Sequence, residues 1–157
     1  MQRLGLQRIF TVVAGLWVGG FMTVGYLVTP ILFSALGDRQ VAGIVAGNIF
    51  RAEAYLSIAL SLTLMIAASF LVAKGAHSFR AIRWILLVIL ACAIGAGLVL
   101  IPWMSSLRDQ ANFVGISVMA SSSAGLFSRL HGISSGLFMI QSLLGIALLW
   151  KVAKSNG

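Results

Sequence analysis

Residues 38–53 read DRQVAGIVAGNIFRAE. The segment carries Asp38 and Glu53, two of the three acids in the chain, and lies between two long apolar runs. In its middle, Ala42-Gly43 and Ala46-Gly47 recur four residues apart. At helical pitch they share a face on which a second helix can approach closely, because no side chain holds the backbones apart. The expected element is a helix that caps, or leads into, a bundle of membrane-spanning helices, with Gly43 and Gly47 as packing positions.

The flanking sequence sets the number of spans. Residues 9–33 run 25 residues without a charge. At about 1.5 Å per residue that crosses a hydrocarbon core of about 30 Å with some tilt. A signal peptide would have an apolar core of only about 7–15 residues, so the run is read as an uncleaved helix. Within it Thr11, Gly15, Gly19 and Thr23 recur every four residues, a small-residue face through which Gly15 and Gly19 are expected to pack inside the bundle. Pro30 falls near the end, where a missing backbone donor is tolerated or makes a kink. The second run is 54–73 and the third 84–107, with Gly95 on a further small-residue face. The last is 132–150. Residues 108–129 are too polar for a fifth span, since Gln110, Asn112 and Ser121-Ser122-Ser123 dissolve poorly in hydrocarbon. They are expected to form a short amphipathic helix and a serine-rich turn. The fold class is therefore an all-α integral membrane four-helix bundle, one domain over 1–157, with two longer outer loops that contain short amphipathic helices.

Composition agrees. Apolar residues make up 60% of the chain and charged residues 9%, too little charge to cover a water-soluble domain, where about a quarter of residues are charged. The net charge of +8 comes from basic residues that flank apolar runs, not from a stripe interleaved with aromatics, so nucleic acid is not an expected partner and the lipid bilayer is. The single cysteine, Cys92, excludes an intrachain disulfide. Four spans put both termini on one side, with seven basic residues (Arg3, Arg8, Lys74, Arg80, Arg83, Lys151, Lys154) and no acid. The other side has four (Arg39, Arg51, Arg108, Arg129) beside Asp38, Glu53 and Asp109. The all-basic side is expected to be cytoplasmic.

Leu16-Trp17-Val18-Gly19-Gly20, Gly25-Tyr26, Pro30, Leu32-Phe33, Asp38-Arg39, Ala42-Gly43, Ala46-Gly47 and Phe50, followed by Leu130-His131-Gly132 and Ser134, resemble the transmembrane protein 205-like family, of the bacterial type called domain of unknown function 4149. The resemblance implies a four-span membrane protein, and the expected location is a bacterial cytoplasmic (inner) membrane. It brings no defined reaction, although animal relatives are linked to export-related drug tolerance. A more distant likeness runs to copper-resistance membrane proteins of the CopD type, whose histidine and methionine pattern is sparse here.

Two sets of residues are candidates for chemistry. The first is an outer polar cluster of Asp38, Arg39, Arg51, Glu53, Arg108, Asp109, Arg129 and His131. Ionisable groups at membrane depth are costly and often mark pathways, but at the edge of a span they also serve as ion pairs that fix helices to loops. Arg51 and Glu53, two residues apart, point to different partners: Asp109 or Asp38 for Arg51, and Arg129 or Arg108 for Glu53. The second is a stripe on the last span, His131, Ser134, Ser135 and Ser142, which would line a proton or solute route or bond across helices. His77 and His131 are expected on opposite sides, which disfavours a bis-histidine haem, and no cofactor is expected. Met104, Met119 and His131 form an alternative set of soft ligands for Cu(I). Phosphate loops, paired cysteines and hydrolase motifs are absent from the sequence, so the chain is not expected to be an enzyme. The expected function is to move, or help move, a small solute or ion. The alternative is a structural or accessory protein that docks a membrane partner or another copy through its small-residue faces.

Overall fold

The structure is a computed structural model that describes residues 2–156. Met1 and Gly157, the ends of the expected domain, lie outside the described residues. Helix α1 runs over Gln2–Thr23, widens into a π-turn at Val24–Val28 and ends as Thr29–Ala35. Helix α2 is Arg39–Ala73. Helix α3 starts as Phe79–Ile94, passes through a second π-turn at Gly95–Leu100 and continues as Ile101–Phe113. Helix α4 is Ala124–Asn156. Each contains a segment long and apolar enough to cross a membrane.

The helices are longer than the apolar runs that announced them. Residues 38–53 are not a loop with its own short helix but the first four turns of α2. Asp38 caps the helix, its Oδ1 accepting from the N–H groups of Gln40 (2.7 Å) and Val41 (3.3 Å). Neither proline nor a turn signal interrupts Arg39–Ala73, so nothing stops the helix at the polar–apolar boundary. At 35 residues it is about 50 Å long, about 20 Å more than a hydrocarbon core. The second polar region behaves similarly. Its start extends α3 to Phe113 and its end begins α4 at Ala124, with a single 3₁₀ turn at Val118–Ala120 between them. Gly115, at φ +77°, lets the chain leave α3. Val118 is then pinned against Leu107, Ala111 and Leu130.

Both π-turns have the same cause. Proline lacks an N–H and its ring crowds the carbonyl four residues back. Ahead of Pro30 the helix widens, and both the N–H and the hydroxyl of Thr29 bond to Val24 O, five residues back. Ahead of Pro102 the N–H of Ile101 bonds to Ala96 O, again five back. A glycine precedes each proline by five residues, Gly25 and Gly97, and each meets a neighbouring helix closely. A Cβ on Gly97 would stand 2.8 Å from Ala54 Cβ of α2, and one on Gly25 would overlap the Phe138 ring of α4.

The bundle is a ring in which α1 and α3 each pack against both α2 and α4. Its half nearer the termini is solid. Phe10, Ala14, Trp17, Val18 and Phe21 of α1 meet Leu64, Ala68 and Leu71 of α2, Phe79, Ile82, Leu86 and Ile89 of α3, and Leu148 and Val152 of α4. Phe10 and Phe79 meet edge-to-face at 5.2 Å. The stripe 10, 14, 17, 21 is the inward face of α1, and this corrects the expected role of Gly15 and Gly19. A Cβ at either would meet nothing within 4 Å, so these glycines do not pack inside the bundle. Gly145 does, with Val18 and Phe21 at 3.0 Å from where its Cβ would be. Gly95 faces Leu137 of α4 at an ordinary 3.8 Å.

Candidate functional site

At the end away from the termini, here called distal, the four helices part around a cavity of about 1000 Å³. That is the upper end of the range for pockets that hold drug-sized molecules, about 300–1,000 Å³. Each helix contributes a wall. Gly25, Tyr26, Thr29 and Phe33 come from the π-turn and end of α1. Gly43, Gly47, Phe50 and Ala54 recur on α2 at helical spacing, flanked by Arg51 and Glu53. Helix α3 gives Ile101, Met104, Ser105 and Arg108, and α4 gives Phe127, His131, Ser134, Ser135, Phe138 and Met139. Tyr26 (54% exposed) and Phe33 on α1, and Met139 (59%) and Ser135 on α4, line the cavity and also reach the surface. The cavity therefore opens sideways between α1 and α4.

The floor is aromatic. Phe138 stands 5.6 Å from Tyr26, 6.0 Å from Phe21 and 5.5 Å from Phe50, centroid to centroid. Its ring fills the space left by the missing side chain of Gly25. Below it lies the solid half of the bundle.

Arg108 explains the glycines of the opening segment. Its guanidinium lies along α2, where a Cβ on Gly47 would come 3.3 Å from Nη1 and one on Gly43 3.8 Å from Nη2. The small-residue face thus receives a side chain, which corrects its expected use as a seat for another helix backbone. The same guanidinium sits 5.5 Å from the centroid of the Phe127 ring. Arg51 donates from Nη2 to Ser105 Oγ at 2.9 Å, while its Nε is buried without a partner.

Glu53 is held by a chain that crosses the bundle. Trp17 Nε1–H of α1 donates to Ser57 Oγ at 2.9 Å, and the Ser57 hydroxyl donates to Glu53 Oε1. Trp17 and Ser57 are buried, and one turn further down α2 Ser61 is buried with its Oγ unpaired. Glu53, Ser57 and Ser61 form a polar line at spacing four, running from the cavity into the closed half.

The cavity gathers Asp38, Arg39, Arg51, Glu53, Arg108 and His131 out of the expected outer cluster. Asp109 instead lines a separate surface hollow with Arg51, Tyr55 and Phe113, and Arg129 is exposed and lines neither. No carboxylate of the described residues comes within ion-pair distance of a cation, which corrects the expected pairing of Arg51 and Glu53 with charged partners. Serine hydroxyls take that place. Ser134 and Ser135 of the expected stripe line the cavity beside His131. Ser142 does not: it is buried and donates to Phe138 O of its own helix at 2.9 Å. Met104 and Met119 line the cavity with His131, and His77 lies at the opposite end.

Trp17 and Gln141 were not legible as site residues, whereas Phe138 lies on the same helical stripe as His131, Ser134, Ser135 and Ser142. Gln141 is buried in the cavity wall, and its Nε2 donates across to Ile89 O of α3 at 3.4 Å. The Ser57–Glu53 contact could have been found, because residues four apart on a helix meet.

Fold and site together define a four-span helical membrane protein with a charged, laterally open cavity at one end. The chain belongs to the DUF4149 family, described as a domain of unknown function, whose family model matches residues 12–112. The match takes in Trp17, Gly43, Gly47, Arg51, Glu53, Ser57 and Arg108 and stops short of α4. No curated protein and no solved structure matches the chain.

Proposed function

We propose that this protein takes a small solute or ion into the distal cavity and moves it, or helps to move it, across a bacterial inner membrane without a covalent reaction. The observation that carries this reading is the cavity itself: about 1000 Å³ walled by all four helices and lined by charged side chains. A helix bundle that only held partners would gain more by packing this volume. The polar line from Glu53 through Ser57 to Ser61 supports a continuation toward the closed half. The seven basic residues at the terminal end and four at the distal end support cytoplasmic termini and a cavity open to the outer side. The resemblance to the transmembrane protein 205-like family, with its link to export, favours the same reading. The likeness to CopD-type proteins adds Cu(I) to the solutes to be tried, with Met104, Met119 and His131 on one cavity as its ligands.

One observation favours the second reading, a docking or accessory role. Gly15 and Gly19 leave open space along an outward face of α1, where a helix of another copy or of a membrane partner can approach closely.

The test is purified protein in liposomes, assayed for flux of protons, Cu(I) and small charged and neutral solutes. Glu53→Gln and His131→Ala are run beside the wild type. Flux above protein-free liposomes for one solute, reduced by Glu53→Gln, is expected. Background flux for every solute, with a stoichiometric membrane partner co-purifying, would favour the docking role.

A further inference from the structure

The distal cavity presents more hydrogen-bond donors from cations than the chain uses. We propose that it binds an amphipathic anion, a single phosphate or carboxylate head on an apolar body, with the head held between Arg51 and Arg108. This rests on the reading of the cavity as a solute site and names the class of solute.

The two arginines keep unused donors, and neither meets a carboxylate. Among the described residues Arg108 makes no hydrogen bond or ion pair; its surroundings are the Gly43–Gly47 slot and the Phe127 ring. Arg51 has a buried Nε with no acceptor and one contact to Ser105. A buried guanidinium N–H without a partner is uncommon and calls for an acceptor. The two cavity carboxylates bond elsewhere and reach neither arginine: Asp38 caps α2 and Glu53 accepts from Ser57. Neither forms an ion pair. The guanidinium fork matches the paired oxygens of a phosphate or carboxylate, which an incoming acceptor would supply.

Size and walls give the rest of the ligand. At about 1000 Å³ the cavity is far larger than a bare anion needs, and its walls include the apolar side chains of Phe50, Phe138, Met104 and Met139. Its mouth between α1 and α4 is rimmed by exposed Tyr26 and Phe33, residues on the face of a span that meets lipid. A ligand with an apolar body can enter by that route without crossing water. A lipid and a soluble amphipathic acid share this chemistry, and the lateral mouth favours the lipid.

The experiment is native mass spectrometry of the full chain released from a non-ionic detergent, with dodecyl phosphate, dodecyltrimethylammonium and inorganic phosphate as probes. Wild type is expected to retain dodecyl phosphate at one per chain and neither of the others. Arg108→Gln and Arg51→Gln should each weaken retention about tenfold or more, the size of one lost charge-assisted contact. Arg108→Lys keeps the charge and guards against a folding artefact; it should weaken retention less than Arg108→Gln. Competition then separates the sources: displacement by phosphatidic acid assigns a membrane lipid, and displacement only by short-chain alkyl phosphates assigns a soluble acid. Equal retention of the cation, or dodecyl phosphate held as tightly by both glutamine variants, would overturn the proposal. Liposome flux in either case would leave the cavity a solute site of another class, so the two failures are distinct.

Discussion

Gly47 leaves the space that the Arg108 guanidinium occupies: a Cβ there would stand 3.3 Å from Nη1. The contact is with the far end of a flexible side chain, so one methyl can be met by a small shift. Gly47→Ala should therefore be close to neutral in a detergent melt, the tight contact being offset by a helix-propensity gain of about 0.5–1 kcal/mol. Gly47→Leu should drive the guanidinium out of its slot and abolish dodecyl phosphate retention while the chain stays folded. Full retention in Gly47→Leu would mean that the position of Arg108 does not matter.

Two serines one turn apart make a paired control. Ser57 accepts from Trp17 Nε1 and donates to Glu53, whereas Ser61 is equally buried and has no partner. Ser57→Ala strands the buried Trp17 N–H, takes a donor from half-buried Glu53, and should lower stability by about 1–3 kcal/mol. Ser61→Ala removes an unsatisfied hydroxyl and should be neutral or stabilising. Equilibrium unfolding in mixed micelles measures both. Equal losses would mean that Ser61 has a hydrogen-bond partner, such as an ordered water.

Glycines that look alike in sequence should differ in consequence. A Cβ on Gly97 would stand 2.8 Å from Ala54 Cβ, on a packed backbone that cannot swing aside, while Gly15 and Gly19 face open space. Gly97→Ala should destabilise by about 1–3 kcal/mol, the usual penalty of overpacking. Gly15→Leu and Gly19→Leu should leave the monomer's melting midpoint unchanged. If the α1 face docks a second helix, they should instead lower the oligomer fraction in chemical cross-linking.

This contrast marks how far the sequence reaches. Span number follows from run length against bilayer thickness, a one-dimensional property, and the four runs correspond to four helices. Which ionisable groups gather at the distal end also follows, since each lies near the end of a run. The rotation of each helix does not. Thr11, Gly15, Gly19 and Thr23 form a clean small-residue face, yet the adjacent stripe through Phe10, Trp17 and Phe21 buries more apolar surface and turns inward. Nor does spacing reveal what fills a small-residue face, and Gly43 and Gly47 receive an arginine. Cross-helix pairs such as Trp17 with Ser57, or Gln141 with Ile89 O, depend on the rotations of both helices and leave no local pattern.

Orientation can be settled with two cysteines. Ser78 lies at the terminal end beside the α2–α3 turn and Ser122 in the distal link before α4, and both are exposed. The native Cys92 is buried and should give a low background. In intact cells an impermeant thiol reagent should label Ser122→Cys and not Ser78→Cys, as the basic asymmetry requires. The reverse pattern would put the cavity on the cytoplasmic side.

The strongest test of the cavity floor is the pair Gly25 and Phe138. A Cβ on Gly25 would overlap the tip of the Phe138 ring, and the ring is hemmed in by Phe21, Tyr26 and Phe50. Rotation is therefore not an easy escape, and Gly25→Ala should destabilise by about 1–3 kcal/mol through overpacking. Phe138→Leu removes the ring tip and should cost stability alone, because it leaves a void. Together the two changes should compensate, the added methyl filling part of the space that the ring vacates. The double variant should then be more stable than the sum of the single losses by about 0.5–3 kcal/mol, the range for residues in contact. The same ring divides the open cavity from the closed half, so in liposomes Phe138→Leu should raise flux of whichever solute the wild type carries. Additive stability losses would mean that ring and glycine do not meet as described. Compensation in stability with unchanged flux would show that Phe138 supports the floor without limiting passage through it.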